Sequence, residues 1–322
     1  MASLASILLL VLKRSINNVR LLLATFLGLI ITVSLISAVP LYTHGTLERL
    51  LQQKLHLTDR RPPGTVWIRH IQDVGDPNLT ARYPEFNKYF LENVEWVVDL
   101  PIRRIVRYVA SDVYVLWPAA EQGNIPRSER RYGYLAFHSD LSSNIRIVDG
   151  TDIPPGAVKE GEDIPAIIST VAAEELHMRV GERFIYSDVE RYNPSGVVLK
   201  IVGIWEPTTP DSDFWIYDPY LYNNTLFISE ENMFTHVFTK LPKSPHEFSW
   251  YALADDTKIH TVNAGRVLSG LRFLETRAQV TLNDKARLYQ ALPEVLEEFE
   301  RRAFVLNIML FTLSVPMVAV VL

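Results

Sequence analysis

Apolar positions fall into two regimes along this chain. At the ends they run unbroken: Leu21 to Leu41 is 21 residues without a charge, and Phe304 to Leu322 is another 19. As a helix rising ~1.5 Å per residue, the first run is about 31 Å long, which matches a hydrocarbon core of roughly 30 Å. Thr25, Gly28, Thr32, Ser34 and Ser37 are spread through it, small and hydroxyl residues that let helices approach closely in lipid. The second run is interrupted only by Asn307, Thr312, Ser314 and Pro316, and a proline is tolerated in a span whose freed carbonyl finds another partner. Transmembrane helices are therefore expected at 21–41 and 304–322. The first is too long, and begins too late, for a cleaved secretory signal.

Helical periodicity continues inward from both runs. Leu47, Leu50, Leu51 and Leu55 form an apolar stripe, which predicts a stalk helix over 42–57. On the far side Leu282, Tyr289, Leu296 and Ala303 repeat every seven residues, with Leu292, Phe299 and Leu306 in the companion register. That predicts a second stalk helix over 279–303, kinked at Pro293. The two stalks either pack together or lie separately on the domain surface. In the pairing reading, Leu47, Leu51, Leu55, Tyr289, Leu292, Leu296 and Phe299 are the residues that would couple them. Before the first run, Leu4, Ile7, Leu8, Val11 and Leu12 followed by Lys13-Arg14 read as an amphipathic segment (1–20) on the cytoplasmic face, or as a frayed continuation of the span.

Between the stalks the period changes to two. Strands are predicted at Val66–Ile71, Ile102–Ala110, Val113–Trp117, Tyr132–Phe137, Asn144–Val148, Ala166–Ser169, Arg183–Ser187, Val197–Trp205, Thr225–Ile228 and Phe248–Ala254. Helices are predicted at Tyr83–Asn93, Thr170–Met178, Ser229–Phe238 and Val262–Gln279. The expected fold is α+β: a mixed part from 58–111 and 223–278, with a β-rich insertion at 112–222 that has the look of a small barrel. Gly203, inside a predicted strand, marks a bulge or a close backbone approach.

Charge orients this arrangement. Residues 1–20 carry Lys13, Arg14 and Arg20 and no acid, whereas 42–303 holds 29 basic against 37 acidic residues. By the positive-inside rule the N-terminus is cytoplasmic and the large domain lies outside. An acidic domain of this kind lacks the basic stripe that nucleic acid requires. The chain has no cysteine, which removes disulfides, thiolate metal sites and thiol nucleophiles together.

Candidate chemistry is sparse. There is no G-x-x-x-x-G-K-[ST] loop, no H-E-x-x-H and no G-x-S-x-G elbow, so the expectation is a chain that is not an enzyme and holds no metal or cofactor. One segment is unusual: Phe214, Trp215, Tyr217, Tyr220 and Tyr222 fall within nine residues, among Asp211, Asp213 and Asp218. They are either a contact surface for a partner, where Trp and Tyr dominate binding, or an internal plug.

The runs Ile145-Arg-Ile-Val-Asp-Gly150, Ile164-Pro-Ala-Ile-Ile-Ser169, Leu176-His-Met-Arg-Val-Gly181 and Ile201-Val-Gly-Ile204, set between two spans in that order, resemble the extracytoplasmic core domain of FtsX/MacB-like ABC transporter permeases. The resemblance implies a multi-pass plasma-membrane subunit that couples ATP hydrolysis by a separate cytoplasmic ABC ATPase to movement of an outer domain. It further implies a second permease copy or homologue as partner, and an extracytoplasmic protein, peptide or lipid as substrate. In that family further spans follow; the apolar run here stops at Leu322 without a cationic flank, so the chain is expected to be a fragment. The competing expectation is a membrane-anchored, non-transporting module that docks and regulates an outside enzyme.

Overall fold

The computed structural model describes residues 19–57, 62, 64–72, 78–119, 130–187, 196–290 and 292–321. Most of the segment expected at 1–20 lies outside the described residues, as do most side chains of 21–44 and 307–321. The chain divides into two compact units. The first comprises Met1–Leu57, His260–Val262 and Val295–Leu322, and the second Thr58–Ile259 and Asn263–Glu294.

The first unit is built on two helices. α1 (Val19–Leu57) is 39 residues long and carries the first apolar run and the first leucine stripe without a break. A later helix, Leu292–Val321, carries the second run. Leu47, Leu51 and Leu55 are buried, and so are Val295, Leu296 and Phe299. Lys54 Nζ reaches Glu298 Oε2 at 3.5 Å, and Arg302 bonds the same carboxylate from one turn away. The cations of Arg302 and then Lys54 hold the Glu298 carboxyl below its ordinary value. Glu48 of α1 accepts from the backbone N–H of Thr261 at 2.9 Å and pairs with His260 Nδ1 at 2.9 Å, which fastens the 260–262 segment to this unit. Among the described residues, no helix is long and apolar enough to cross a membrane.

The second unit is α+β. Its strands are β1 (Thr65–Ile71), β2 (Ile102–Ser111), β3 (Tyr114–Pro118), β4 (Arg131–His138), β5 (Ile145–Gly150), β6 (Ile164–Ser169), β7 (Arg183–Ser187), β8 (Val197–Pro207), β9 (Thr225–Phe227), β10 (Pro245–Ala254) and β11 (Ala286–Leu288). One continuous sheet joins them in the order β11-β1-β10-β2-β4-β3-β7-β8-β6-β9, with β5 on β8. β2 and β3 act as two halves of one bent strand: Tyr108 to Ala110 pair with His138 to Ala136, and Tyr114 to Leu116 continue along β4 from Gly133 to Arg131. At the bend Ser111 Oγ accepts from Leu135 N–H at 2.8 Å and shares a 2.7 Å bond with the Tyr186 hydroxyl, so the turn leaves no polar group of the serine unpaired. Parallel pairing of β9 with β4, and antiparallel pairing with β6, closes β4-β3-β7-β8-β6-β9 into a ring. The short strand Thr225–Phe227, which sequence assigns to the outer flank, is thus the closing stave. Gly203 lies opposite Gly150 of β5 and at the register shift of the β6–β8 pairing, where a Cβ would overlap the Thr151 carbonyl.

Period-two alternation gives the open part of the sheet two faces. On one, Val66 and Ile68 of β1 and Phe248, Trp250 and Ala252 of β10 are buried. Helices α2 (Leu79–Val98) and α4 (Ala264–Thr281) supply the matching stripes Phe86, Phe90, Val94 and Val98, and Val267, Leu271, Leu274 and Ala278. The two helices approach closely at Gly270, where any Cβ would overlap the Val97 carbonyl. Between them in sequence lies the short α3 (Thr170–Glu175), capped by Ser169 Oγ accepting from Ala172 N–H at 3.0 Å. The left-handed backbone at His177 ends that segment early. On the other face, Trp67, Val106, Tyr108 and Tyr251 join Trp205 and Phe227 of the ring in one aromatic core.

The second stalk departs from its sequence expectation. α4 ends at Thr281, β11 intervenes, and the helix α5 (Leu292–Val321) starts only there. Tyr289 is not helical; its N–H donates to Trp67 O at 2.8 Å, so edge pairing with β1 has displaced the heptad pattern. Pro293 then falls in the first turn of α5, where its missing N–H has no helical partner to lose, and the expected kink has no cause there.

Candidate functional site

The aromatic segment is chiefly interior. Phe214, Trp215, Ile216 and Tyr222 are buried, with Trp215 stacked on Trp205 at 5.9 Å and Phe214 against His138 at 4.6 Å. Trp215 Nε1 donates to Thr209 O at 3.0 Å, and Asp218 caps the following turn by accepting from Tyr220 N–H at 3.0 Å. As a contact surface, Phe214, Trp215 and Tyr222 are therefore corrected to core: their rings fill the space between the sheet face and the ring of strands. Of the five residues, Tyr220 is exposed at 55 %, beside Leu221 at 67 %, and Tyr217 is half-buried. The buried His138 donates Nδ1–H to Ser139 O at 3.0 Å and leaves Nε2 without a partner among its aromatic neighbours; burial pushes its pKa down to about 4.

Where the segment emerges, it walls a cavity of about 250 Å³ together with β1, β2, β4 and β10. Its main polar wall is an ion pair. Glu247 accepts from Arg69 Nε at 2.9 Å and Nη2 at 3.0 Å, from the Tyr217 hydroxyl at 2.5 Å and from Ser249 Oγ at 2.7 Å. The Arg69 guanidinium lies over the rings of Trp67, Tyr217 and Tyr289, at 5.5, 5.5 and 5.0 Å from their centroids. Desolvation opposes its charge, but the bonds to Glu247 outweigh it and hold the guanidinium pKa above its ordinary value. Burial, then the neighbouring Glu247, pushes the Tyr217 phenol far up. Burial, then Tyr222 and Glu247, does the same for Tyr108, so both stay neutral.

None of Arg69, Glu247, Tyr108 or Tyr134 is visible as a site in the sequence. The available signal was alternation: Arg69 follows Trp67 by two, and Glu247 precedes Ser249 and Tyr251 by two and four, which places two charges on an aromatic core face. Among the described residues, no group of acidic and histidine side chains is placed to hold a metal ion.

The stalk candidates separate by unit. Leu47, Leu51 and Leu55 of α1, and Leu296 and Phe299 of α5, are all buried and belong to the first unit. Leu292, also buried, and Tyr289, 54 % exposed, belong to the second. Tyr289 is withdrawn as a stalk residue, because its ring packs edge-on against Trp67 at 5.0 Å.

No family model matches this chain, and no curated protein matches it. Among solved structures it is similar to a domain of a putative permease protein from Porphyromonas gingivalis, at 8 % identity and a TM-score of 0.33, over 70 % of this chain and 86 % of that one. A likeness that slight carries no argument about fold or activity.

Proposed function

We propose that this chain is a subunit of a multi-pass membrane permease of the ABC type, with no chemistry of its own. α1 and α5 would anchor it, residues 42–303 would lie outside the cytoplasm, and a separate cytoplasmic ATPase would bind and hydrolyse ATP. A second copy or homologue would complete the membrane part, and the outer domain would act on an extracytoplasmic protein, peptide or lipid.

One observation carries the reading. α1 runs for 39 residues from the apolar stretch through the buried stripe Leu47, Leu51 and Leu55, and at that level Lys54 meets Glu298 of α5. At ~1.5 Å per residue, such a helix is about 58 Å long, nearly twice what a bilayer core needs. The excess is a lever. Two helices packed beyond the membrane can pass a displacement outward without any reacting group. The cationic segment before the first apolar run supports the orientation.

The test has two parts. In a chain with no native cysteine, a single cysteine at the exposed Ser142 should react with an impermeant maleimide in intact cells, and one at Ser15 should not. The reverse pattern overturns the orientation. In the complex with its ATPase, Leu296→Asp, which buries a charge at a fully enclosed position, should abolish coupled work while basal ATP hydrolysis persists. The exposed Glu294→Gln should change neither. Retained coupling in Leu296→Asp refutes the lever.

A further inference from the structure

We propose that the cavity beside the Arg69–Glu247 pair is a binding site for a neutral, polyhydroxylated ligand about the size of a sugar ring. The inference uses the second unit alone and is independent of the permease reading. Four polar side chains face this cavity with nothing to bond: the hydroxyls of Tyr108 and Tyr134, the amide of Asn224 and the imidazole of His246 have no hydrogen-bond partner among the described residues. Tyr108 is the telling one. It is 5 % exposed, and its hydroxyl opens onto the cavity while bonding no protein group among the described residues, which leaves it free to meet a ligand there. Its hydroxyl lies in the field of Tyr222, Glu247, Tyr217 and Tyr134, all of which line the same space.

The chemistry of the walls selects the ligand. Arg69 and Glu247 are bidentate to each other, so the wall carries no net charge from them. An anion would have to face Glu247 and a cation Arg69, and either would lose its hydration without a counter-charge. Phenol hydroxyls both donate and accept, and Asn224 offers one group of each kind. A ligand rich in hydroxyls can satisfy all of them at once. A volume of about 250 Å³ accommodates one sugar ring and little more.

The experiment is ligand-observed saturation-transfer NMR on the full chain in lipid nanodiscs, which carry no sugar headgroup. The probes are glucose, N-acetylglucosamine, maltose and chitobiose, set against choline, acetate and the neutral amide N-acetylglycinamide. At least one sugar should give transfer, with millimolar affinity. Tyr108→Phe and Tyr134→Phe should each weaken it about threefold to tenfold, the effect of one lost hydrogen bond. Tyr132→Phe, which packs against the separate Val115–Trp117–Ile185 cluster, should leave it unchanged. Tyr134→Phe removes a half-buried, unpartnered hydroxyl, so it keeps the test readable even if Tyr108→Phe disturbs folding. The proposal is overturned by an absence of transfer from every sugar at tens of millimolar. It is equally overturned by signal from choline, acetate or the amide instead, or by Tyr134→Phe binding as tightly as the parent chain.

Discussion

Replacing Glu247 by Leu should be among the most damaging single changes available to the second unit. The carboxylate is 6 % exposed and accepts four hydrogen bonds, two from Arg69 and one each from Tyr217 and Ser249. Its loss leaves the Arg69 side chain, 17 % exposed, carrying a charge whose compensation is three aromatic faces. Breaking a buried pair by removing one partner costs about 3–5 kcal/mol. In a domain of this size that corresponds to a fall of roughly 6–20 °C in the unfolding midpoint. Arg69→Met should lie at the low end of that range, because Tyr217 and Ser249 still donate to the carboxylate. The double variant, Arg69→Met with Glu247→Leu, removes both charges and keeps much of the volume. It should recover to within about 2 kcal/mol of the parent, since apolar replacement of a whole buried pair is often neutral. Thermal unfolding of the four proteins closes a double-mutant cycle. A single Glu247→Leu loss below about 1 kcal/mol, or strict additivity in the double variant, would show that the cluster does not act as a unit.

Two further outcomes follow from packing and from protonation. Gly270→Ala should destabilise by about 1–3 kcal/mol, because the new methyl overlaps the Val97 carbonyl and must push α2 and α4 apart; an unchanged midpoint would contradict the close approach. His138 has a folded pKa of about 4, below its ordinary 6.5, so the unfolded chain takes the proton first as pH falls. Its contribution is complete above pH 6.5 and is lost between 6.5 and 4, by about 3 kcal/mol. His138→Phe should flatten that part of the stability profile relative to the parent, and a parallel pair of profiles would refute the assignment.

Local pattern reached the α+β fold because each element announces itself over a few residues. The strand Arg183–Ser187 coincides with its expected bounds, α2 extends its own by a few residues at each end, and α4 begins and ends two residues later than expected. Failures occur where a distant partner decides. Ala286–Leu288 is three residues long and is a strand only because β1 offers an edge, so Leu282 and Tyr289 kept a heptad spacing that the backbone never used. The helix after Ser229 contains a π turn at Met233–Val237, which no side-chain period encodes. The aromatic run at 214–222 showed that something large is filled, but not from which side. That was settled by Trp205 stacking on Trp215 and by His138 meeting Phe214, contacts with no trace in the run itself.

The candidate site was hidden for the same reason in a stronger form. Arg69 and Glu247 are separated by 178 positions, and Tyr108 belongs to neither neighbourhood. A carboxylate in a strand reads, on sequence alone, as a solvent-facing residue, because Glu is rarely enclosed unless paired. Here the pairing itself makes enclosure possible: bidentate geometry to Arg69 and two hydroxyl donors replace the water that Glu247 gives up. The arrangement neutralises its own charge and still leaves phenols without partners. The Tyr108 hydroxyl, on a residue 5 % exposed, opens onto the cavity and not onto a protein partner. That hydrogen-bonding capacity, rather than the ion pair, is what the proposed ligand would use.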